Sequence, residues 1–155
     1  AIFGPSLDAH VSGSFHLLEN LLNGSMKRVP QIPLNVVDVR DVAELHILAM
    51  TNEQANGKRF IATADGQINL LEIAKLIKEK RPEIAQKVST KKLPDFILSL
   101  GAKFNHQAKE GKLLLDMNRN VSNERAKILL GWEPIATQKE AILAAVDSMA
   151  KYHLI

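Results

Sequence analysis

Short apolar runs alternate with stretches in which apolar residues recur at helical spacing, a pattern that predicts an α/β layout with more helix than strand. Phe15, Leu18 and Leu22 stand at i, i+3 and i+7, with Ser14 placed to cap and Asn23-Gly24 placed to stop, which predicts a helix over 14–22. Leu34-Asn35-Val36-Val37, preceded by Pro33, predicts a strand. A helix to about Met50 follows directly, with Asp38 as N-cap and Val42, Leu45 and Ala49 on one face. Asp41 falls in its first turn, where the helix dipole favours a carboxylate.

The middle and end of the chain repeat this grammar. Lys58 to Thr63, after Asn56-Gly57, predicts a second strand. Asn69 and Glu72 have capping-box spacing ahead of a stripe of Leu70, Ile73, Ala74 and Ile77, so a helix is expected to Lys80, with Pro82 just past it. Pro94 opens a helix carrying Phe96, Ile97 and Leu100 and ending at Gly101. Lys103 to Gly111 is polar and reads as a mobile segment. Asn123 to Leu130 reads as a short helix closed by Gly131. Thr137 and Glu140 form another capping box, ahead of Ile142, Val146 and Met149 on the last buried face. At the other end, Ala1-Ile2-Phe3-Gly4-Pro5 reads as a buried strand entering a turn. So short a strand is expected to have had neighbours upstream, whereas Lys151 to Ile155 read as a natural end.

Composition narrows the class only loosely. The 155 residues suit one domain, and an apolar share of 46% suits a globular one. No apolar run approaches the ~18 residues of a membrane helix, and no secretory signal pattern is visible. Zero cysteines exclude disulfides and thiolate metal sites and fit a cytoplasmic protein. The net charge of +3 is a mild excess, with scattered Lys and Arg and few aromatics, so no nucleic-acid partner is expected.

Motifs for self-contained catalysis are missing. The eight glycines form neither a dinucleotide fingerprint nor a P-loop. The five histidines show no metal-ligand spacing, and His46 reads as a structural or solvent-edge residue. Ser6, Ser12, Ser14 and Ser25 lack a nucleophile-elbow context. Asp38 and Asp41 read as helix-start residues in preference to an acid–base pair.

One composite pattern stands out. Ile2-Phe3-Gly4-Pro5, then Val37-Asp38-Val39-Arg40-Asp41-Val42-Ala43 with His46, then Gly57-Lys58-Arg59-Phe60, form its first part. Asn123 with Arg125-Ala126-Lys127, then Leu130-Gly131-Trp132 and Pro134, and finally Glu140-Ala141-Ile142, complete it in order. The series resembles the C-terminal half of extended short-chain dehydrogenases/reductases, in particular the dihydroflavonol-4-reductase and aldehyde-reductase-like branch. The resemblance implies a helix-rich C-terminal substrate-binding lobe plus the last strands of a Rossmann-type fold, over residues 1–155, with the N-terminal nucleotide-binding part absent.

Such enzymes carry a glycine-rich turn and a Tyr-x-x-x-Lys pair, the Tyr exchanging a proton at the carbonyl and the Lys lowering its pKa. Here the sole tyrosine is Tyr152, with no lysine four residues on, so this chain alone is expected to be inactive. The resemblance implies NADP or NAD as cofactor of the complete protein and a small carbonyl or hydroxyl compound as substrate. Ile2 would wall the nicotinamide, and Ser14 would contact a cofactor phosphate, cap its helix, or both. Ser6 and Leu7, with the Pro94 helix, would border the substrate. Gly131, Trp132 and Pro134 read as packing and turn residues. Two other readings stand beside the reductase. One is a nucleotide-sugar epimerase or dehydratase lobe, disfavoured because Pro33 and Asn35 supply no basic group at the second strand. The other is a non-catalytic interaction module, with self-association through an exposed face.

Overall fold

The chain enters the fold through a two-residue strand, β1 (Ile2–Phe3), which pairs in parallel with β3 (Val37–Asp38). The computed structural model describes residues 1–94, 96–97 and 106–155. Between these strands lie α1 (Phe15–Leu22) and β2 (Pro33–Leu34), and β2 pairs antiparallel with β4 (Ile68–Asn69). The helices that follow are α2 (Val39–Thr51), a short 3-10 turn (Glu53–Ala55), α3 (Leu70–Lys80), α4 (His106–Asp116), α5 (Glu124–Leu130) and α6 (Gln138–Lys151). This is the helix-rich α/β arrangement that the pattern predicts.

Both capping boxes form. The Asn69 side chain accepts from the Glu72 amide while Glu72 accepts from the Asn69 amide, and Thr137 and Glu140 do the same for α6. Glu140 is held below the usual carboxylate range by the Thr137 amide and then by its hydroxyl. α3 and α6 bury their apolar stripes against each other, with Ile73, Ala74 and Ile77 facing a core that includes Ala141, Ile142, Ala145 and Val146. Phe3 and Phe15 meet edge to face there, ring centroids 6.1 Å apart. A bidentate Arg81–Asp147 pair, at 2.6 and 2.8 Å, ties the end of α3 to α6.

A second, smaller core lies between α2 and α5: Val37, Leu45, Ala126, Leu130 and Trp132. Trp132 is fully buried and donates its indole N–H to the Asp41 carbonyl at 2.9 Å, while the Ile135 amide donates to the Asp41 carboxylate at 2.8 Å. Gly131 ends α5 at φ 65°, the left-handed conformation a side chain resists. These residues do serve packing and turning, and His46 is exposed, its Nδ1 lying 2.7 Å from the Val42 carbonyl.

Four local expectations are corrected. The single strand over 34–37 is two strands on different partners, because Asn35 turns aside to donate its amide to the Arg119 carbonyl. Lys58 to Thr63 forms no ladder; just beyond it the Ala64 amide donates to the Val36 carbonyl, between β2 and β3. Instead, the Asn123 amide holds the Thr63 carbonyl, and Asn123 and Lys127 both bind Asp65 at 2.8–2.9 Å. Ser14 makes no capping bond: its backbone is already helical, and its hydroxyl accepts from the Ile2 amide at 3.4 Å. His106 to Gly111, within the segment read as mobile, begins helix α4. Phe96 and Ile97 are helical after Pro94, whereas Leu100 and Gly101 lie outside the described residues.

The α3–α6 interface yields the first test. Ile142→Ala removes most of a fully buried side chain and is expected to cost about 2–5 kcal/mol in urea unfolding. A loss below about 1 kcal/mol would mean that Ile142 is not part of a close-packed core.

Candidate functional site

Parallel strands in open α/β sheets present ligands at their carboxyl ends, where the connecting turns splay apart. In this chain β1 leaves through Gly4-Pro5 and β3 leaves through Asp38 into α2. Between these exits lies a groove of about 970 Å³. One wall is Ile2 to Leu7, another is the loop through Gly13 to Ser14 and Phe15, and the third is Val39, Arg40 and Ala43 from the first turns of α2.

Asp38 supports this groove from below. Its carboxylate is fully buried and caps α2 by accepting the Arg40 amide at 2.9 Å. The Arg40 side chain returns to the same carboxylate with two further bonds, Nε to Oδ1 and Nη2 to Oδ2, both 2.9 Å. Burial pushes Asp38 up, but the hydrogen bonds from the Arg40 side chain and amide and its positive charge outweigh burial and hold Asp38 below its ordinary value. Arg40 is correspondingly raised by that hydrogen bond and by the charge of Asp38. Arg40 keeps 53% of its side chain in solvent, so the pair presents a guanidinium at the groove and hides the carboxylate.

The turn above is shaped to the same group. Gly4 has φ 112°, and a Cβ there would stand 2.8 Å from Asp38 Oδ1. The backbone must therefore carry no side chain for the strand exit to lie on the carboxylate. The Gly4 amide donates to the Ala141 carbonyl at 3.0 Å, and the Ser6 amide donates to the Ser148 hydroxyl at 2.9 Å. Tyr152 donates its hydroxyl to the Leu7 carbonyl at 2.6 Å. The turn is thus pinned at three places, two on α6 and one on Tyr152 just past its end.

Ile2, Ser6, Leu7 and Ser14 all line this one groove. Ile2 and Leu7 are exposed, Leu7 at 96%, and Ser6 and Ser14 are half-buried. Ser6 also donates its hydroxyl to the Asp8 carbonyl. Phe96 and Ile97, expected beside Ser6 and Leu7, are exposed but do not line the groove. The Val39–Ala43 wall and the Arg40–Asp38 pair were not anticipated as groove features. The adjacency of a capping Asp to an Arg two residues on was the available signal. Among the described residues no cluster of His, Asp or Glu is suited to a metal ion, and no helix is long and apolar enough to cross a membrane.

Two outcomes test the support beneath the groove. Gly4→Ala combines an unfavourable φ with a steric collision on Asp38 and is expected to lower stability by about 1–3 kcal/mol in urea unfolding. Asp38 is depressed in the fold, so its contribution is present at neutral pH and is lost as pH falls below the ordinary value of 3.8 toward the folded one. The stability gap between the native chain and Asp38→Asn should therefore be full near neutrality and shrink in that acid window. A gap that stays constant through it would show that Arg40 does not hold the carboxylate.

No family model matches the sequence. A ketoreductase of Aspergillus niger, azaE, is 33% identical over 103 residues, covering 61% of this chain and 30% of that protein. The chain spans between 30% and 36% of the length of the curated relatives it matches. Among solved structures, yeast methylglyoxal/isovaleraldehyde reductase Gre2, complexed with NADPH, superposes with a TM-score of 0.70 at 22% identity, over 98% of this chain and 41% of that one. UDP-glucose 4-epimerase from Thermotoga maritima superposes with a TM-score of 0.64 at 22% identity, over 97% of this chain and 43% of that one. The chain has the fold of the C-terminal part of an extended short-chain dehydrogenase/reductase.

Proposed function

We propose that this chain is the C-terminal, substrate-side portion of an NADP- or NAD-dependent reductase that interconverts a small carbonyl compound and its alcohol. The observation that carries the reading is the groove at the carboxyl ends of β1 and β3, which gathers Ile2, Ser6, Leu7 and Ser14. The likeness to NADPH-complexed Gre2 and to a ketoreductase supports the choice of chemistry.

The residues present suit a nicotinamide and a small substrate. Ile2, Val39 and Ala43 offer an apolar wall for a flat ring. The Ser14 hydroxyl accepts from the Ile2 amide and so keeps its proton free to donate to an anionic oxygen. A groove of about 970 Å³ is large enough for the reacting end of a cofactor and a small carbonyl compound together. Bound there, the nicotinamide supplies the hydride. This chain's own part is to orient the ring, exclude water from one side and border the substrate through Ser6 and Leu7. Proton exchange at the carbonyl needs a group from outside the chain, because the sole tyrosine, Tyr152, commits its hydroxyl to Leu7. The chain alone is therefore inactive in this reading.

Arg119 keeps a second reading in view. The segment before α5 brings this residue beside the ends of β2 and β4, where its carbonyl accepts from the side-chain amides of Asn35 and Gln67 and its charge acts on the Ala1 amino group. A basic residue thus stands near the second strand, which the local sequence of Pro33 and Asn35 did not provide. A nucleotide-sugar epimerase or dehydratase would use such a charge for a diphosphate.

Sequencing the coding DNA immediately upstream of the Ala1 codon, and assaying the encoded protein, tests the reading. The expected result is an in-frame glycine-rich strand–turn–helix and a Tyr-x-x-x-Lys pair. The encoded protein should consume NADPH or NADH with small aldehydes or ketones, while the 155-residue chain does not. Turnover of a UDP-sugar without net cofactor oxidation would favour the second reading. A start codon directly before Ala1 would overturn both and leave a non-catalytic interaction module.

A further inference from the structure

Tertiary structure gathers the positive charge of this chain in one place. Residues 20–37 and 84–94 contain Lys27, Arg28, Lys87, Lys91 and Lys92 and no Asp or Glu. The whole chain carries a net charge of +3, so everything outside these two stretches is net acidic. Far apart in sequence, the two groups of cations lie side by side in the fold. Val29 and Lys92 form a parallel bridge, in which the Val29 amide donates to the Lys91 carbonyl at 2.8 Å and the Leu93 amide to the Val29 carbonyl at 2.9 Å. The Ser89 hydroxyl donates to the Lys27 carbonyl at 2.7 Å. Val29 and Val88 are buried in the main core, so the backbone that carries the cations is anchored.

Lys27, Arg28, Lys91 and Lys92 are all exposed, and among the described residues none of them stands in an ion pair. Lys87 is set apart from them, because it lines a groove with Glu19 and Glu83, which offset its charge. Like charges held on adjacent segments repel one another, a cost that an anionic partner removes. Phe96 and Ile97 follow Lys92 by four and five positions, on a turn closed by the Ile97 amide on the Pro94 carbonyl at 3.0 Å. Phe96 is 71% exposed and Ile97 41%. Neither lines the candidate groove, which leaves this apolar pair beside the cations without a part in the site already described.

We propose that Lys27, Arg28, Lys91 and Lys92, together with Phe96 and Ile97, seat this protein peripherally on an anionic lipid surface. The cations meet the negative headgroups, and Phe96 and Ile97 enter the boundary between headgroups and acyl chains. The long stems of the Lys and Arg side chains lie along the apolar boundary while their charged ends stay in water. Two observations favour lipid over nucleic acid. Neither basic stretch holds an aromatic residue on which bases would stack. The exposed Phe96–Ile97 pair is of use at a lipid boundary and of little use on a phosphate backbone. Because none of the six residues lines the groove, lipid binding and reductase chemistry are separable.

The test is sedimentation of the 155-residue chain with phosphatidylcholine vesicles, with and without phosphatidylserine. Retention is expected only where phosphatidylserine is present, and should fall at least about tenfold between about 0.1 M and about 1 M salt. Lys91→Glu with Lys92→Glu should abolish it, and Lys27→Gln with Arg28→Gln, on the neighbouring segment, should weaken it at least about threefold. Lys58→Glu with Lys139→Glu makes the same change of net charge at two other exposed positions and should leave retention within about twofold. Phe96→Ser should weaken retention at every salt concentration. Each variant is first checked for the native urea midpoint. Equal retention on both kinds of vesicle, or on neither, would overturn the lipid surface. So would equal losses in the two Glu pairs, which would reduce the effect to net charge, or unchanged retention of Phe96→Ser. A single-stranded oligonucleotide that binds more tightly than the vesicles, with the same dependence on Lys91 and Lys92, would overturn it in favour of nucleic acid.

Discussion

One buried carboxylate organises the functional end of this fold. Asp38 ends β3, caps α2 through the Arg40 amide and receives the Arg40 guanidinium on both oxygens. A carboxylate with no exposed surface is tolerable only when its charge is met and its lone pairs are used. Arg40 does both, so the start of α2 is fixed in position and direction by a single residue pair. Because Gly4 lies directly on that carboxylate, the exit of β1 is fixed by it too. The groove is the space left between two chain exits that share one anchor.

The rest of the molecule serves to hold those exits apart. α6 reaches under the β1 turn through the Ala141 carbonyl, the Ser148 hydroxyl and the Tyr152 phenol. Its opposite face is locked into α3 by the main core and by the Arg81–Asp147 pair. α2 is held from behind by Trp132 and Ile135, which bind the Asp41 carbonyl and carboxylate. Each groove wall therefore stands on a helix whose far side is packed, which is the arrangement that makes a binding surface precise. Val39 and Ala43 line the groove from the first turns of α2, and Ile47 and Met50 are exposed further along the same helix.

Local rules read well wherever a residue acts on its own neighbours. The capping boxes of α3 and α6, the cap at Asp38, the stop at Gly131 and the apolar stripes of α3 and α6 were all legible, because each depends on side chains three or four positions apart. Reading failed where a distant group competed. Asn35 has β-compatible neighbours, yet its amide binds Arg119 and breaks the strand. Lys58 to Thr63 has strand composition, yet Asn123 takes the Thr63 carbonyl that a neighbouring strand would use. Ser14 has a capping residue's chemistry, but its backbone is already helical and its hydroxyl meets the Ile2 amide instead.

The sequence by itself determined most of the helices and where most of them start and stop, although it missed the start of α4, and it contains neither a dinucleotide fingerprint nor a Tyr-x-x-x-Lys pair. It also marked Ile2, Ser6, Leu7 and Ser14 as candidates through a resemblance. Tertiary structure alone decided that these four share one groove and that Arg40 stands over it. It alone also decided that Arg119 comes beside the second strand and that Val39, Ile47 and Met50 of α2 are exposed. The physical reason is range: propensity, capping and periodicity act within a few residues. A groove is made by contacts such as Gly4 on Asp38 and Tyr152 on Leu7, whose partners are set by the packing of α3, α6 and the two strand pairs.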